Sequence, residues 1–262
     1  MNGTVNLYNI YFGLFSRYNF LNASQQTQPL VDYFSSNIGS SSWYKTLTTY
    51  YQINRDGSKT YVSASVERKR SAVYQATVKA RTIADDTVIP NMIVSLINLP
   101  LQPLPVDVNG IYNVFFRGEF IYNNWLKDPD SGGWCGFHSN FALKDGRVLK
   151  YTVIGDPSTG PSDSQAYCAG IAGAPTANEN IGADSMVNIL AHEIAEVVTN
   201  DDGAWNDGSN ASNGECGDIC GWDFQLGENP TNTNWNIVVG QKKFLVQSIY
   251  QVDYGCVLSC YC

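Results

Sequence analysis

The sequence predicts an α/β fold of the mixed α+β kind, as a single domain over residues 1–262. A central mixed sheet would carry packed helices and end in a disulfide-tied C-terminal region. Three observations lead there. Short apolar and aromatic runs alternate with stretches of helical period along the whole chain. Two of the strand-like runs flank Asp145-Gly146, a hairpin turn, so antiparallel pairing accompanies any parallel pairing. Five of the seven cysteines fall in the last fifth of the chain, where loop-forming residues are dense. No internal repeat and no shift in composition marks a second domain.

Val5 to Phe15 is rich in Tyr, Ile and Phe and reads as a buried strand. Gln28 to Ile38 places Leu30, Val31, Phe34 and Ile38 at helical spacing. Leu47 to Ile53 and Lys59 to Val66 read as strands joined by the turn Asn54-Arg55-Asp56-Gly57. Pro90 to Asn98 is a short helix, with Pro90 in its first turn and Pro100 ending it. Ile111 to Phe116 is a further strand, and His138 to Leu143 pairs with Val148 to Ile154 in the hairpin. Pro157 to Asn180 is irregular, Asp184 to Asn200 is the strongest helix, and Asp201 to Gly221 is an Asp/Asn/Gly loop. Lys242 to Ile249 is the last strand.

Composition removes several classes of function. A net charge of -8 argues against a nucleic-acid partner, which needs a basic face. The run Glu67-Arg68-Lys69-Arg70 is too short to reverse that and reads as a solvated strand end. No apolar run reaches the roughly 18 residues of a membrane span. The cysteines, Cys135, Cys168, Cys216, Cys220, Cys256, Cys260 and Cys262, lack the paired C-x-x-C knuckles of a zinc ribbon. They read as disulfides formed in an oxidising compartment, with the terminal Cys262 expected to be the odd thiol. That thiol would be free or would link a homo-oligomer or an extracellular polymer. Sequons at Asn2, Asn22 and Asn210 fit N-linked glycans. The expectation is a secreted protein whose signal peptide has been removed ahead of this numbering.

The chain has two histidines, and one stands in His192-Glu193-Ile194-Ala195-Glu196. This is one residue short of the zinc-protease signature H-E-x-x-H. On a helical wheel His192 and Glu196 lie one turn apart, with Ser185, Asn188 and Thr199 beside them. Val187, Leu190, Ile194 and Val197 lie opposite and are expected to face the sheet. Side chains at i and i+4 converge on one ion. The expected ligands are His192 and Glu196, completed by Glu215 or Asp218 and by His138. Glu215 follows Glu196 by 19 positions (196 to 215), near the downstream-glutamate spacing of one zinc-peptidase clan. Glu193 is the candidate base that acts on water. The expected cofactor is a divalent metal, zinc first. Calcium is the alternative, on the loop oxygens of Asp201, Asp202, Asn206, Asp207, Asn210 and Asp218.

At these residues the chain resembles the plant exordium or phosphate-induced protein family. The resemblance rests on Gly182-Ala183-Asp184-Ser185-Met186, on Leu190-Ala191-His192-Glu193-Ile194-Ala195-Glu196, and on Thr199-Asn200 with Ala204-Trp205. Cys135-Gly136-Phe137-His138 and Gly214-Glu215-Cys216-Gly217-Asp218-Ile219-Cys220 extend it. So do Val5 to Gly13, Ser36 to Gly39 and Thr48 to Tyr51. It implies a secreted or cell-wall-associated protein, and it implies that H-E-x-x-E is the family's own form. Cys216 and the cluster Cys256, Cys260 and Cys262 depart from the family pattern and suggest an extra crosslink. Two functions follow as expectations: a metal-dependent, peptidase-like hydrolase, or a non-enzymatic subunit of an extracellular assembly stabilised by metal and disulfides.

Overall fold

Two strands of almost unbroken apolar character form the centre of the fold. β1 (Val5–Phe12) and β6 (Gly110–Phe116) are buried nearly throughout, as parallel strands covered on both faces must be. The computed structural model describes the chain apart from residues 1–2, 14–25, 75–81, 84–86, 102, 118–120, 123–133, 160–167, 169–175, 201–202, 204, 209–213 and 227–233. β4 (Val66–Tyr74), β8 (Gly136–Ala142) and β9 (Val148–Gly155) complete a five-stranded sheet in the order β4-β1-β6-β9-β8. Four strands run parallel and β8 alone is antiparallel, at the edge, so the sheet is mixed as expected.

A row of polar residues crosses this apolar sheet. The pairing register sets Ser71, Asn9, Asn113, Thr152 and His138 side by side on five successive strands. Asn113 Nδ2 donates to Asn9 Oδ1 at 3.1 Å, and Thr152 Oγ1 donates to Asn113 Oδ1 at 3.0 Å. Asn9 Nδ2 and the Ser71 hydroxyl both donate to Asp32 Oδ1, at 2.8 and 2.7 Å. Asp32 belongs to α1 (Thr27–Asn37), which buries Leu30, Val31 and Phe34 against the sheet. The row is fully buried at Asn9, Asn113 and Thr152, and every polar atom named there has a partner.

Three more α-helices are described: α2 (Ser42–Leu47), α3 (Val88–Ile97) and α4 (Ile181–Thr199). The Ser41 hydroxyl caps α2 by accepting from Tyr44 N, and Asn180 Oδ1 caps α4 by accepting from Ala183 N. Asp184 sits in the first turn of α4, where the helix dipole favours a negative charge. Helix α4 packs on β8, β9 and α1. Leu190 and Ile194 are fully buried there, and truncating either to Ala would cost about 2–5 kcal/mol. Short pairs complete the chain: β2 (Tyr51–Ile53) with β3 (Lys59–Tyr61), β5 (Thr82–Ile83) with β7 (Ile121–Tyr122), β10 (Ile237–Val239) with β11 (Lys242–Phe244), and β12 (Ile249–Gln251) with β13 (Gly255–Val257). No described helix is long and apolar enough to cross a membrane.

Several sequence expectations change. Leu47 ends a helix instead of starting a strand, because Ser41 caps residues 42–47 and only Tyr51–Ile53 pairs with Lys59–Tyr61. The charged run Glu67 to Arg70 lies inside β4 at the outer edge of the sheet, where charges discourage pairing with another chain. The expected strand Lys242 to Ile249 divides between β11 and β12, which pair with different partners. The polar face of α4 is covered too: every residue from Gly182 to Thr199 except His192 is buried. The C-terminal segment supplies part of that cover, with Gln247 N donating to Asn188 Oδ1 at 2.8 Å.

The cysteine expectation is corrected at two positions. Cys135 bonds Cys168, Cys220 bonds Cys256, and Cys260 bonds Cys262. Cys262 is therefore not the odd thiol, and Cys216 is not in a disulfide. Cys216 is fully buried beside the Thr199 hydroxyl at 3.3 Å, and the other six cysteines are paired with one another. The sequon residues Asn2, Asn22 and Asn210 lie outside the described residues, as do Asp201 and Asp202 of the expected calcium loop.

Candidate metal centre

Three separate stretches of chain bring six side chains together. Strand β8 supplies His138, α4 supplies His192, Glu193 and Glu196, and the segment after α4 supplies Glu215 and Asp218. His138 Nε2 lies 3.4 Å from Glu196 Oε2 and 3.3 Å from Glu215 Oε2. His192 Nε2 lies 3.1 Å from Glu196 Oε1 and 3.5 Å from Asp218 Oδ1. The two imidazoles thus address opposite oxygens of one carboxylate. Ligand atoms fall into two sets whose members lie within 4.8 Å of one another: His138, Glu196 and Glu215, and His192, Glu193 and Glu196.

The fold explains the convergence. His138 stands opposite Thr152 in the β8–β9 ladder, so the polar row ends on the imidazole at the edge beside α4. Helical spacing stacks His192 and Glu196 on one side of α4. Two glycines allow the close approach. A Cβ at Gly136 would lie 2.4 Å from Ile189 Cγ2 and 2.8 Å from Glu193 Oε1. A Cβ at Gly217 would lie 2.7 Å from Glu196 Oε1 and 2.9 Å from His192 Nδ1. Gln247 Nε2 holds that second glycine by donating to its carbonyl at 2.7 Å. Asn200 Nδ2 donates to Glu215 Oε1, while Asn200 Oδ1 accepts from Trp205 N at 2.9 Å. Trp205 is wedged edge-on against Tyr50, with ring centres 5.0 Å apart. Sequence reasoning missed Gly136, Gly217, Asn200 and Gln247 as positioning residues. The first three had a signal, since each stands inside a motif quoted for its charged neighbour.

The electrostatics of the cluster call for positive charge. Burial alone would lower His138, but hydrogen bonds to Glu196 and Glu215 and the charge of Glu193 outweigh it and lift the imidazole to about 11. His192 is likewise opposed by burial, yet Glu196, Glu193 and Asp218 raise it to about 10. Burial pushes Glu193 well above the ordinary carboxyl range, with Glu196 adding to the rise. Glu196 is held low because both imidazoles outweigh its burial. Burial, then the charge of Glu196, lifts Asp218 to about 6. Glu193 Oε2 and Glu196 Oε1 are buried and have no hydrogen-bond partner among the described residues. A tetrahedral zinc site with bonds of about 2.0–2.1 Å separates neighbouring ligand atoms by about 3.3 Å. The four imidazole–carboxylate distances, 3.1 to 3.5 Å, are of that size, which is also the spacing of a hydrogen-bonded ion pair.

The family model for the phosphate-induced protein 1 conserved region matches residues 1–258. The chain belongs to this family. Its match takes in all six residues of the cluster. Among curated proteins the chain is similar to Protein EXORDIUM-like 3 of Arabidopsis thaliana, with 25% identity over 169 residues, 61% of this chain and 47% of that protein. The chain spans about half the length of that curated relative. No solved structure matches it.

Proposed function

We propose that this family member is a secreted, N-glycosylated extracellular protein that binds a divalent metal at His138, Glu196 and Glu215 with His192 and Asp218 alongside, and that it acts as a metal-dependent hydrolase of peptide type. The observation that carries the reading is that the chain's two histidines meet on one buried glutamate, Glu196, next to a second buried glutamate, Glu193, whose Oε2 has no hydrogen-bond partner among the described residues. A solvated helix face would instead leave both carboxylate oxygens to water. Imidazole nitrogens among the donors favour zinc over calcium, which prefers an all-oxygen shell. The two disulfides with long loops, Cys135–Cys168 and Cys220–Cys256, support an oxidising compartment.

A divalent ion bound here would supply Lewis-acid polarisation of a carbonyl and of water. Glu193 would take a proton from the attacking water and return it to the leaving amine. Its side chain is buried beside the ligands, with Oε2 not engaged by any described donor. Asn200 would hold Glu215 in place, and Gln247 would hold the Gly217 segment against the helix. Elemental analysis of purified protein tests the metal claim. Wild type retains zinc and His192→Ala loses it; unchanged metal content in the variant ends the reading. Peptide hydrolysis by metal-loaded Glu193→Gln tests the reaction, since activity that survives that change comes from elsewhere.

A second reading has one observation in its favour. The cluster ties β8, α4 and the segment after α4 together, which is what a purely structural ion does. In that case chelation lowers the melting temperature and no peptide is cleaved. Crosslinking into an assembly through an odd thiol loses its support, because Cys216 is buried inside the fold.

A further inference from the structure

We infer that the cluster is built for two cations bridged by Glu196, not for one ion shared by all the ligands; this rests on the metal reading above. The ligand atoms divide into two triads that have Glu196 in common and nothing else. No set with both histidines lies within 4.8 Å among the described residues. Glu196 turns Oε2 to His138 and Oε1 to His192, the arrangement of a carboxylate that spans two centres.

Buried oxygens and charge point the same way. An ion held by His138, Glu196 Oε2 and Glu215 leaves Glu193 Oε2 buried with no hydrogen-bond partner among the described residues, and leaves Glu196 Oε1 facing only the His192 imidazole at 3.1 Å. Glu193 and Glu196 both belong to the second triad with His192, so an ion there would draw on both carboxylates. Four carboxylates, Glu193, Glu196, Glu215 and Asp218, surround two imidazoles. With neutral imidazoles, one divalent ion leaves a net negative charge in a largely buried site, and two divalent ions balance it. Paired divalent centres elsewhere lie about 3.5–4 Å apart, a separation that one bridging carboxylate spans. A second ion would take Glu193 as a ligand in place of the base role given to it above, and its assigned class is a divalent transition cation such as zinc or manganese.

The test uses the whole chain, stripped with chelator and dialysed separately against zinc and manganese salts. Zinc per chain is counted by elemental analysis, and the manganese form is examined by electron paramagnetic resonance. Wild type is expected to hold two zinc equivalents and to give a spin-coupled manganese spectrum. His138→Ala, His192→Ala and Glu193→Gln each retain one equivalent, and the His192→Ala spectrum collapses to that of isolated manganese. One equivalent in wild type, with an uncoupled spectrum, overturns the inference while leaving a single metal centre standing. No zinc in wild type overturns both. The wild-type count and spectrum decide the matter even if a variant fails to fold.

Discussion

Two buried polar systems meet at His138, and they differ in one respect. The row Ser71, Asn9, Asn113 and Thr152 ends on Asp32, and its donors and acceptors answer one another. Asp32 is also charge-balanced, with Arg68 3.8 Å away and the Tyr11 hydroxyl donating at 2.8 Å. The cluster at the other end is as buried only at Glu193 and Glu196; it holds four carboxylates against two imidazoles and leaves Glu193 Oε2 without a hydrogen-bond partner among the described residues. A satisfied network adds specificity to a sheet and needs nothing further. A buried carboxylate left unsatisfied is costly unless something else occupies the site. The row is therefore read as structure and the cluster as a binding centre.

The comparison breaks most sharply at Glu196. Glu196→Gln removes the charge that both imidazoles face, and zinc affinity is expected to fall by well over the roughly 10–100-fold typical of supporting residues. Calorimetric titration of zinc into stripped protein reads this, and a change of less than tenfold would refute the assignment.

Chelation comes next. Zinc at a hundred times its dissociation constant stabilises a folded chain by about 2.7 kcal/mol. At about 2–4 °C per kcal/mol for a chain of this size, chelation should lower the melting temperature by roughly 5–10 °C. The effect has a pH sign. In the ion-free site His138 and His192 hold protons up to about 11 and about 10, so zinc must displace them. The gain from zinc should thus grow from pH 6 to pH 8, and melting curves that show the reverse would contradict the site.

Asn113→Val tests the other region. It strands the Thr152 hydroxyl inside the sheet and leaves Asn9 Oδ1 only the longer 3.5 Å bond from the Ser35 hydroxyl, at a cost of about 1–3 kcal/mol. Denaturant melts should show that loss while zinc stoichiometry stays that of wild type. If the metal is lost as well, the two systems are one.

The smallest effect is expected at Glu193 in chelated protein. Its folded-state pKa is raised, so between the ordinary carboxyl range and that raised value the folded state binds the extra proton and stability falls as pH climbs. Glu193→Gln should therefore raise the melting temperature of ion-free protein at pH 8 and leave it unchanged at pH 4. Equal shifts at both pH values would remove the charge explanation.

Much of this was legible in the residues. Strands β1 and β6 follow from unbroken apolar runs, as burial on both faces requires; β8 and β9 follow from the Asp145-Gly146 turn, α3 from its flanking prolines, and α1 and α4 from apolar residues at a period of about 3.6. The set His138, His192, Glu193, Glu196, Glu215 and Asp218 followed from spacing on one helix and from rare residue types in motif context. Helix α2 escaped because six residues give too short a period to read, and a serine cap decided it. The fate of Cys216 escaped because disulfide pairing depends on which cysteines come within reach in three dimensions. Gln247 lies 30 positions from the carbonyl it holds, and no local pattern marks it.

By itself the sequence determined the family, the helix that stacks His192 over Glu196, and the apolar strands beneath it, since each follows from neighbours along the chain. Only the tertiary structure decided that β8 runs antiparallel at the sheet edge and so presents His138 to the opposite oxygen of Glu196. It also decided that the segment carrying Glu215 and Asp218 closes over the helix through Gly217. The physical reason is that a cation site is a matter of distances between side chains far apart in sequence, and those distances exist only once the sheet and helix have packed.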